Sequence, residues 1–202
     1  HVYNLAGQHG KRVQSMMGAK NHVVVMPDAN KEQTLNALVG AAFGAAGQRC
    51  MALSVAVMVG ETKHWVDELV NKTKTLKVNA GHEPNTDVGP VISTRAKSRV
   101  IDLINSGVEQ GAEMLLDGRD VQVPGYEQGN FVGPTIFNQV TTDMRIYKEE
   151  VFGPVLAIMH VDTLEQAIAL INANPFGNGV GLFTQNGNTA RTFQNQIDIG
   201  QV

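Results

Sequence analysis

With a single cysteine in 202 residues, no disulfide can form within the chain. That absence fits a reducing compartment and leaves Cys50 free either for chemistry or for burial as a small hydrophobe, the commoner fate of a lone thiol. Charge of one sign is missing as well. The formal net charge is -3 and acids and bases are interspersed, which offers neither a nucleic acid nor an anionic membrane surface much to hold. No apolar run approaches the roughly 20 residues of a membrane-spanning helix, and the first residues, His1-Val2-Tyr3-Asn4, have neither the charged nor the apolar region of a signal peptide. The six histidines, at 1, 9, 22, 64, 82 and 160, find no His or Cys partner at ligand spacing, so no metal site is expected. Internal repeats, low-complexity tracts and a linker separating two independent domains are also absent. Small molecules are the partners that remain.

Against those absences stands an ordinary hydrophobic fraction of 43%, enough for a substantial core. Short apolar runs alternate with amphipathic stretches, the pattern of an α/β domain. Val23-Val24-Val25-Met26 reads as a buried strand stopped by Pro27, and residues 54–59, 114–116, 135–137, 155–161 and 181–184 read as further strands. Residues 33–46 read as a helix buried on most sides, because Leu35, Leu38, Val39, Ala42, Phe43 and Ala46 leave almost no polar face. Residues 61–76, 95–110 and 189–197 read as helices lying over a sheet, and Thr163-x-x-Gln166 caps another that carries Leu164, Ala167, Ile168 and Ile171 inward. The Gly and Pro cluster in 118–133 predicts an excursion such as a hairpin.

The junction Phe43-Gly44-Ala45-Ala46-Gly47-Gln48-Arg49-Cys50 is where a buried helix ends in glycines and turns into a strand. Glycines let backbone approach closely and adopt positive φ, so this bend can hold a thiol and its own N–H at the mouth of a cleft, where the N–H can meet an oxyanion. Arg49 beside it either favours thiolate and forks onto a substrate carboxylate, or braces the loop. Lys20 reads as a surface lysine, Met16 and Met17 as packing residues, and Glu149 with Glu150 as a solvated pair unless their neighbours say otherwise. Gly177-Asn178-Gly179-Val180-Gly181-Leu182 is no dinucleotide loop, since Leu182 stands where glycine or alanine should open a helix.

Phe-Gly-x-x-Gly-Gln-x-Cys over 43–50 resembles the cysteine signature of the aldehyde dehydrogenase superfamily. Lys148-Glu149-Glu150-Val151-Phe152-Gly153-Pro154-Val155 resembles its second signature, about a hundred residues on as the superfamily's order requires. Residues 174–184 resemble the Tyr-Gly-Leu-like turn and strand that follow, and Gly18-Ala19-Lys20 with Pro27-Asp28-Ala29-Asn30 resemble the flanks of the segment before the nucleophile. The resemblance covers essentially the whole chain and is nearest to the CoA-acylating methylmalonate-semialdehyde dehydrogenases, through residues 17–22 and 44–52.

That resemblance implies the catalytic domain of the aldehyde dehydrogenase fold over 1–202, an open, mostly parallel twisted sheet flanked by helices. It implies Cys50 as nucleophile, Arg49 as ligand of the substrate carboxylate, and Glu150 and Phe152 as contacts of the nicotinamide ribose and ring of NAD. Coenzyme A would be co-substrate and a semialdehyde the substrate, without a metal. Hydrolytic members place a glutamate where Met16 stands, and methionine is no base, so the acyl-enzyme would wait for a thiol. The implied parent is a homo-oligomer, a tetramer or dimer, of the bacterial cytoplasm or the mitochondrial matrix. Its N-terminal cofactor-binding region and C-terminal oligomerisation strand are expected to lie largely outside these residues, which predicts that this stretch alone is inactive. A hydrolytic dehydrogenase of another substrate, or a mere assembly module, are the other classes left open.

Overall fold

The computed structural model describes residues 1–15 and 17–202, so the comparison of Met16 with a catalytic glutamate falls outside the described residues. The chain opens on α1 (Val2–Gln8), a helix with no buried residue and no counterpart among the expected elements. A six-stranded sheet follows, in the spatial order β3-β4-β5-β2-β1-β6. Its strands are β1 (Asn21–Val25), β2 (Leu53–Val59), β3 (Glu113–Leu116), β4 (Thr135–Asn138), β5 (Val155–Val161) and β6 (Val180–Phe183). All neighbours run parallel except β3, which pairs antiparallel with β4 at the edge.

The central strands β2 and β5 are almost continuously buried, as a parallel strand covered on both faces must be. Cover comes from α2 (Lys31–Phe43), α3 (Val66–Lys74), α4 (Thr94–Glu109), α6 (Leu164–Asn172) and α7 (Gly187–Gln196), with the single turn α5 (Arg145–Lys148) packed beside α4. Caps stand where short polar residues precede an apolar pattern. Asn30, Ser93 and Thr163 accept from the N–H groups of Gln33, Ala96 and Gln166. The Thr163 cap is reciprocal with a difference, since Gln166 Oε1 accepts from Asp162 N, one residue before the expected position, at 2.7 Å.

Three expectations are corrected. Helix α2 ends at Phe43, three residues early, because Ala45 and Ala46 take left-handed backbone angles (φ 52 and 53) that an α-helix cannot contain. It is also buried on one side only. Thr34, Leu35, Leu38, Ala42 and Phe43 face inward, while Ala37 and Gly40 are exposed with Glu32, Gln33 and Asn36; alanine and glycine offer so little apolar area that exposing them costs little. The excursion between β3 and β4 holds turns but no strand of its own, packed through Val123 and Phe131 against Ala80.

Candidate active site

Four of the parallel strands, adjacent in the order β5-β2-β1-β6, are each entered from the same edge of the sheet. Parallel neighbours lie about 4.8 Å apart, so the segments preceding them are necessarily brought side by side. Those segments are 17–20, 48–52, 149–154 and 176–179, and they enclose a cavity of about 560 Å³ lined by Met17, Ala19, Cys50, Glu150, Phe152 and Asn178, among others. Residues 200 and 201 close one side, held by a Gly200 N–H to Gly177 carbonyl bond of 2.8 Å and a Val180 N–H to Gln201 carbonyl bond of 2.9 Å.

Cys50 is exposed at this cavity and is not a core residue. Among the described residues its main-chain N–H has no acceptor, which leaves a donor beside the thiol. Asn21 Nδ2 donates to the Cys50 carbonyl at 2.9 Å and to the Ala52 carbonyl at 2.8 Å, and Asn178 Nδ2 reaches the same Cys50 carbonyl at 2.8 Å.

The bend before Cys50 is locked by close packing. Gly47 has φ +68, and a Cβ there would stand 2.5 Å from the Gly153 carbonyl carbon and nearer still to its oxygen. Gly47 therefore seats the thiol loop directly on the loop that carries Glu150 and Phe152. Phe152 itself has φ 55 and leaves 44% of its surface open, a strained backbone presenting an aromatic ring to the cavity. Glu150 is oriented by the Ala19 N–H, which donates to Oε1 at 3.2 Å. Glu149 is turned away and bonded to Arg145 Nε at 2.6 Å and Arg99 Nη2 at 3.3 Å, chiefly the Arg145 bond holding its carboxyl below the usual range.

Arg49 is not in the lining of the main cavity. Its Nη2 donates to the Gly40 and Ala41 carbonyls at 2.7 and 3.0 Å, capping the end of α2, the bracing alternative, while no acceptor meets its Nε or Nη1 among the described residues. Lys20 is corrected from a surface residue to a buried one, 2% exposed, whose Nζ donates to the Ile146 and Glu149 carbonyls at 2.6 and 2.7 Å. It ties the start of β1 to the segment that ends in Glu150. Met17 is corrected in the opposite sense, being 79% exposed at the cavity instead of packed inside.

A profile of the aldehyde dehydrogenase family matches residues 1–202. The chain belongs to that family. It is 60% identical over all 202 residues to the cattle protein named methylmalonate-semialdehyde/malonate-semialdehyde dehydrogenase [acylating], mitochondrial. It spans 38% of that relative's length, and 39% of the mosquito relative from Aedes aegypti, which is 61% identical. A crystal structure from Sinorhizobium meliloti, described as a methylmalonate-semialdehyde dehydrogenase complexed with NAD, superposes with TM-score 0.95 and 46% identity over 98% of this chain and 41% of that one. A betaine aldehyde dehydrogenase from Staphylococcus aureus in complex with NAD+ gives TM-score 0.93 at 26% identity, over 100% of this chain and 40% of its own. The family's fold is thus present here as the expected open, mostly parallel sheet.

Asn21 and Asn178 were not among the expected site residues, and Lys20 was expected at the surface. For the two asparagines the available signal was an amide at the entry to an apolar strand, with a glycine on each side of Asn178. Burial pushes the Lys20 amine down to about 7, against the upward pull of Glu150 and Glu149. A base with a lowered folded pKa binds fewer protons folded than unfolded between about 7 and its ordinary value, so stability rises with pH across that window. Urea unfolding at pH 7 and pH 9 should show a gain of about 2 kcal/mol over this interval from Lys20. In Lys20→Met that part of the slope disappears; an unchanged slope would show that the amine stays charged in the fold.

Proposed function

We propose that this chain carries the thiol-bearing part of an NAD-dependent, CoA-acylating oxidation of malonate and methylmalonate semialdehyde to acetyl-CoA and propionyl-CoA, with loss of carbon dioxide. The observation that carries the reading is the convergence of an exposed Cys50, Glu150 and Phe152 on one cavity, in a chain 60% identical to an acylating relative. The cavity fits the nicotinamide riboside end of NAD. Glu150 offers a carboxylate to ribose hydroxyls, and the exposed Phe152 ring offers a flat apolar face. NAD, when bound, supplies the hydride acceptor.

The Cys50 thiolate attacks the aldehyde carbon, forming a C–S bond and an oxyanion on which the Cys50 N–H can donate. After the hydride departs, Cys50 holds the acyl group as a thioester. The carboxylate of the 3-oxo acid is lost as carbon dioxide, a proton taking its place on carbon. The CoA thiol then displaces Cys50, whose thiolate is restored. Water is a poor competitor because Met16 provides no base, whereas a thiol reaches useful thiolate fractions near neutral pH. Arg49 enters as ligand of the substrate carboxylate through the N–H groups of its fork that α2 does not use. A homo-oligomer, housed in the mitochondrial matrix or a bacterial cytoplasm, completes the reading; the cattle relative is named mitochondrial.

The test is the co-substrate dependence of turnover in the full-length protein. With malonate semialdehyde and NAD, leaving out CoA should restrict NADH to about one equivalent per Cys50, the amount stored as thioester. Adding CoA should restore continuous turnover with acetyl-CoA as product. Full turnover without CoA, yielding free acid, would assign the chain to a hydrolytic dehydrogenase instead.

A further inference from the structure

Two side-chain amides that lie far apart in the sequence meet on a single main-chain atom, the carbonyl oxygen of Cys50. Asn178 donates at 2.8 Å and Asn21 at 2.9 Å, which engages both lone pairs of that oxygen. The other hydrogen of Asn21 Nδ2 goes to the Ala52 carbonyl at 2.8 Å, spanning the turn that carries Met51. Asn178 Nδ2 also stands 3.3 Å from Asn21 Oδ1 and 3.2 Å from Met51 Sδ. Because Asn21 Oδ1 is the atom facing the Asn178 donor, the amide of Asn21 has only one orientation that serves all these partners. The buried amide, 6% exposed, is thus set by the one that lines the cavity.

The turn that bears Cys50 has few other anchors. It follows a 3-10 segment with two left-handed alanines, and the Ala52 N–H to Arg49 carbonyl bond of 3.0 Å is its own main-chain tie. The Cys50 carbonyl is one bond from the Cα that carries the thiol, so whatever holds this oxygen also limits the swing of the side chain. Gly179 makes room for the arrangement, since a Cβ there would come 3.3 Å from Met51 Sδ and 3.4 Å from Asn21 Oδ1.

We infer that Asn21 and Asn178 are positioning residues for the Cys50 thiol, acting through the Cys50 main chain. The inference rests on the reading of Cys50 as the nucleophile. Asn178→Asp keeps the shape but replaces the donor with an oxygen that repels the carbonyl, and Asn178→Ala removes the group. Both should lower kcat for CoA-dependent NADH formation on the order of 10²-fold, the usual consequence of a displacement of about 1 Å. KM for NAD should stay within about twofold, since Glu150 and Phe152, the proposed NAD contacts, are untouched. Iodoacetamide labelling of the Cys50 peptide, followed by mass, should change in rate in the same variants. Asn178→Gln, which keeps a donor on a longer arm, should recover part of both readouts.

Thermal unfolding identifies any variant that does not fold, and Asn178→Ser then replaces Asn178→Ala. Asp and Ser variants with native kcat and native labelling rate would overturn the inference, as would a rise in KM for NAD at unchanged kcat. Cys50→Ala is run alongside. Continued NADH formation in it would remove the nucleophile reading and this inference together, whereas an inactive Cys50→Ala beside fully active Asn178 variants removes this inference alone.

Discussion

Gly47→Ala is expected to destabilise the fold by about 3 kcal/mol or more, summing the strain of a left-handed alanine with that of an overpacked contact. The added methyl would enter the Gly153 carbonyl group, 2.5 Å from its carbon. Retreat is closed off, because Gly153 is itself backed by the buried Val100 of α4, whose Cγ2 stands 2.5 Å from where a Cβ on Gly153 would be. Three layers, the thiol loop, the Phe152 loop and α4, must therefore shift together. In a domain of about 200 residues this corresponds to a fall in melting temperature of roughly 6–12 °C. Activity should drop as well, since Phe152 and Glu150 would move relative to Cys50. Calorimetry and NADH kinetics on the full-length protein carrying the substitution check both; a variant melting within a degree of the parent would show that this close approach is not needed.

The same contact explains what could be read from residues and what could not. Gly47 and Gly153 stand in two motifs about a hundred residues apart, and each motif alone announces a turn. That the two turns are pressed against each other follows from β2 and β5 being parallel neighbours in the sheet. Alternation of apolar runs with amphipathic stretches was enough to place most of the elements, because burial on both faces writes itself as continuous Val, Ile and Leu. The left-handed pair Ala45 and Ala46 was invisible, since alanine is the strongest helix former and only tertiary packing imposes φ above zero on it. Gly44, at the helix end, showed where a break was allowed without showing its shape.

Polar residues were the harder class. Lys20 resembles any surface lysine until Ile146 and Glu149, more than a hundred residues away, supply carbonyls for it to bind. Asn21 and Asn178 have the composition of turn residues, and their convergence depends on β1 lying between β2 and β6. Arg49 beside Cys50 left substrate binding and bracing both open, and in the fold one nitrogen of its fork braces the end of α2 while the others meet no acceptor among the described residues. Side-chain reach, unlike strand order, leaves no periodic trace in a sequence.

Cys50→Ala should have the largest effect on activity and almost none on stability. With Cys50 as the proposed nucleophile, its removal eliminates the covalent route, and losses of 10⁴-fold or more in kcat are of the order seen when a nucleophile is deleted. Cys50→Ser should do little better, because a hydroxyl without an activating base is a far weaker nucleophile than a thiolate. Stability is a separate matter. The bonds that anchor this turn end on the Cys50 carbonyl oxygen, which alanine retains, and the thiol is exposed, so its loss should stay within about 0.5 kcal/mol. NAD should bind as before, since Glu150 and Phe152 reach the cavity from a different loop. The pair of substitutions then dissociates two functions of one bend: alanine at 47 disturbs the packing that holds the thiol in place, and alanine at 50 removes the thiol while leaving the packing intact. Tryptophan-monitored unfolding and cofactor titration of Cys50→Ala check this separation, and a Cys50→Ala protein as unstable as Gly47→Ala would place the sulfur in the core and not in the chemistry.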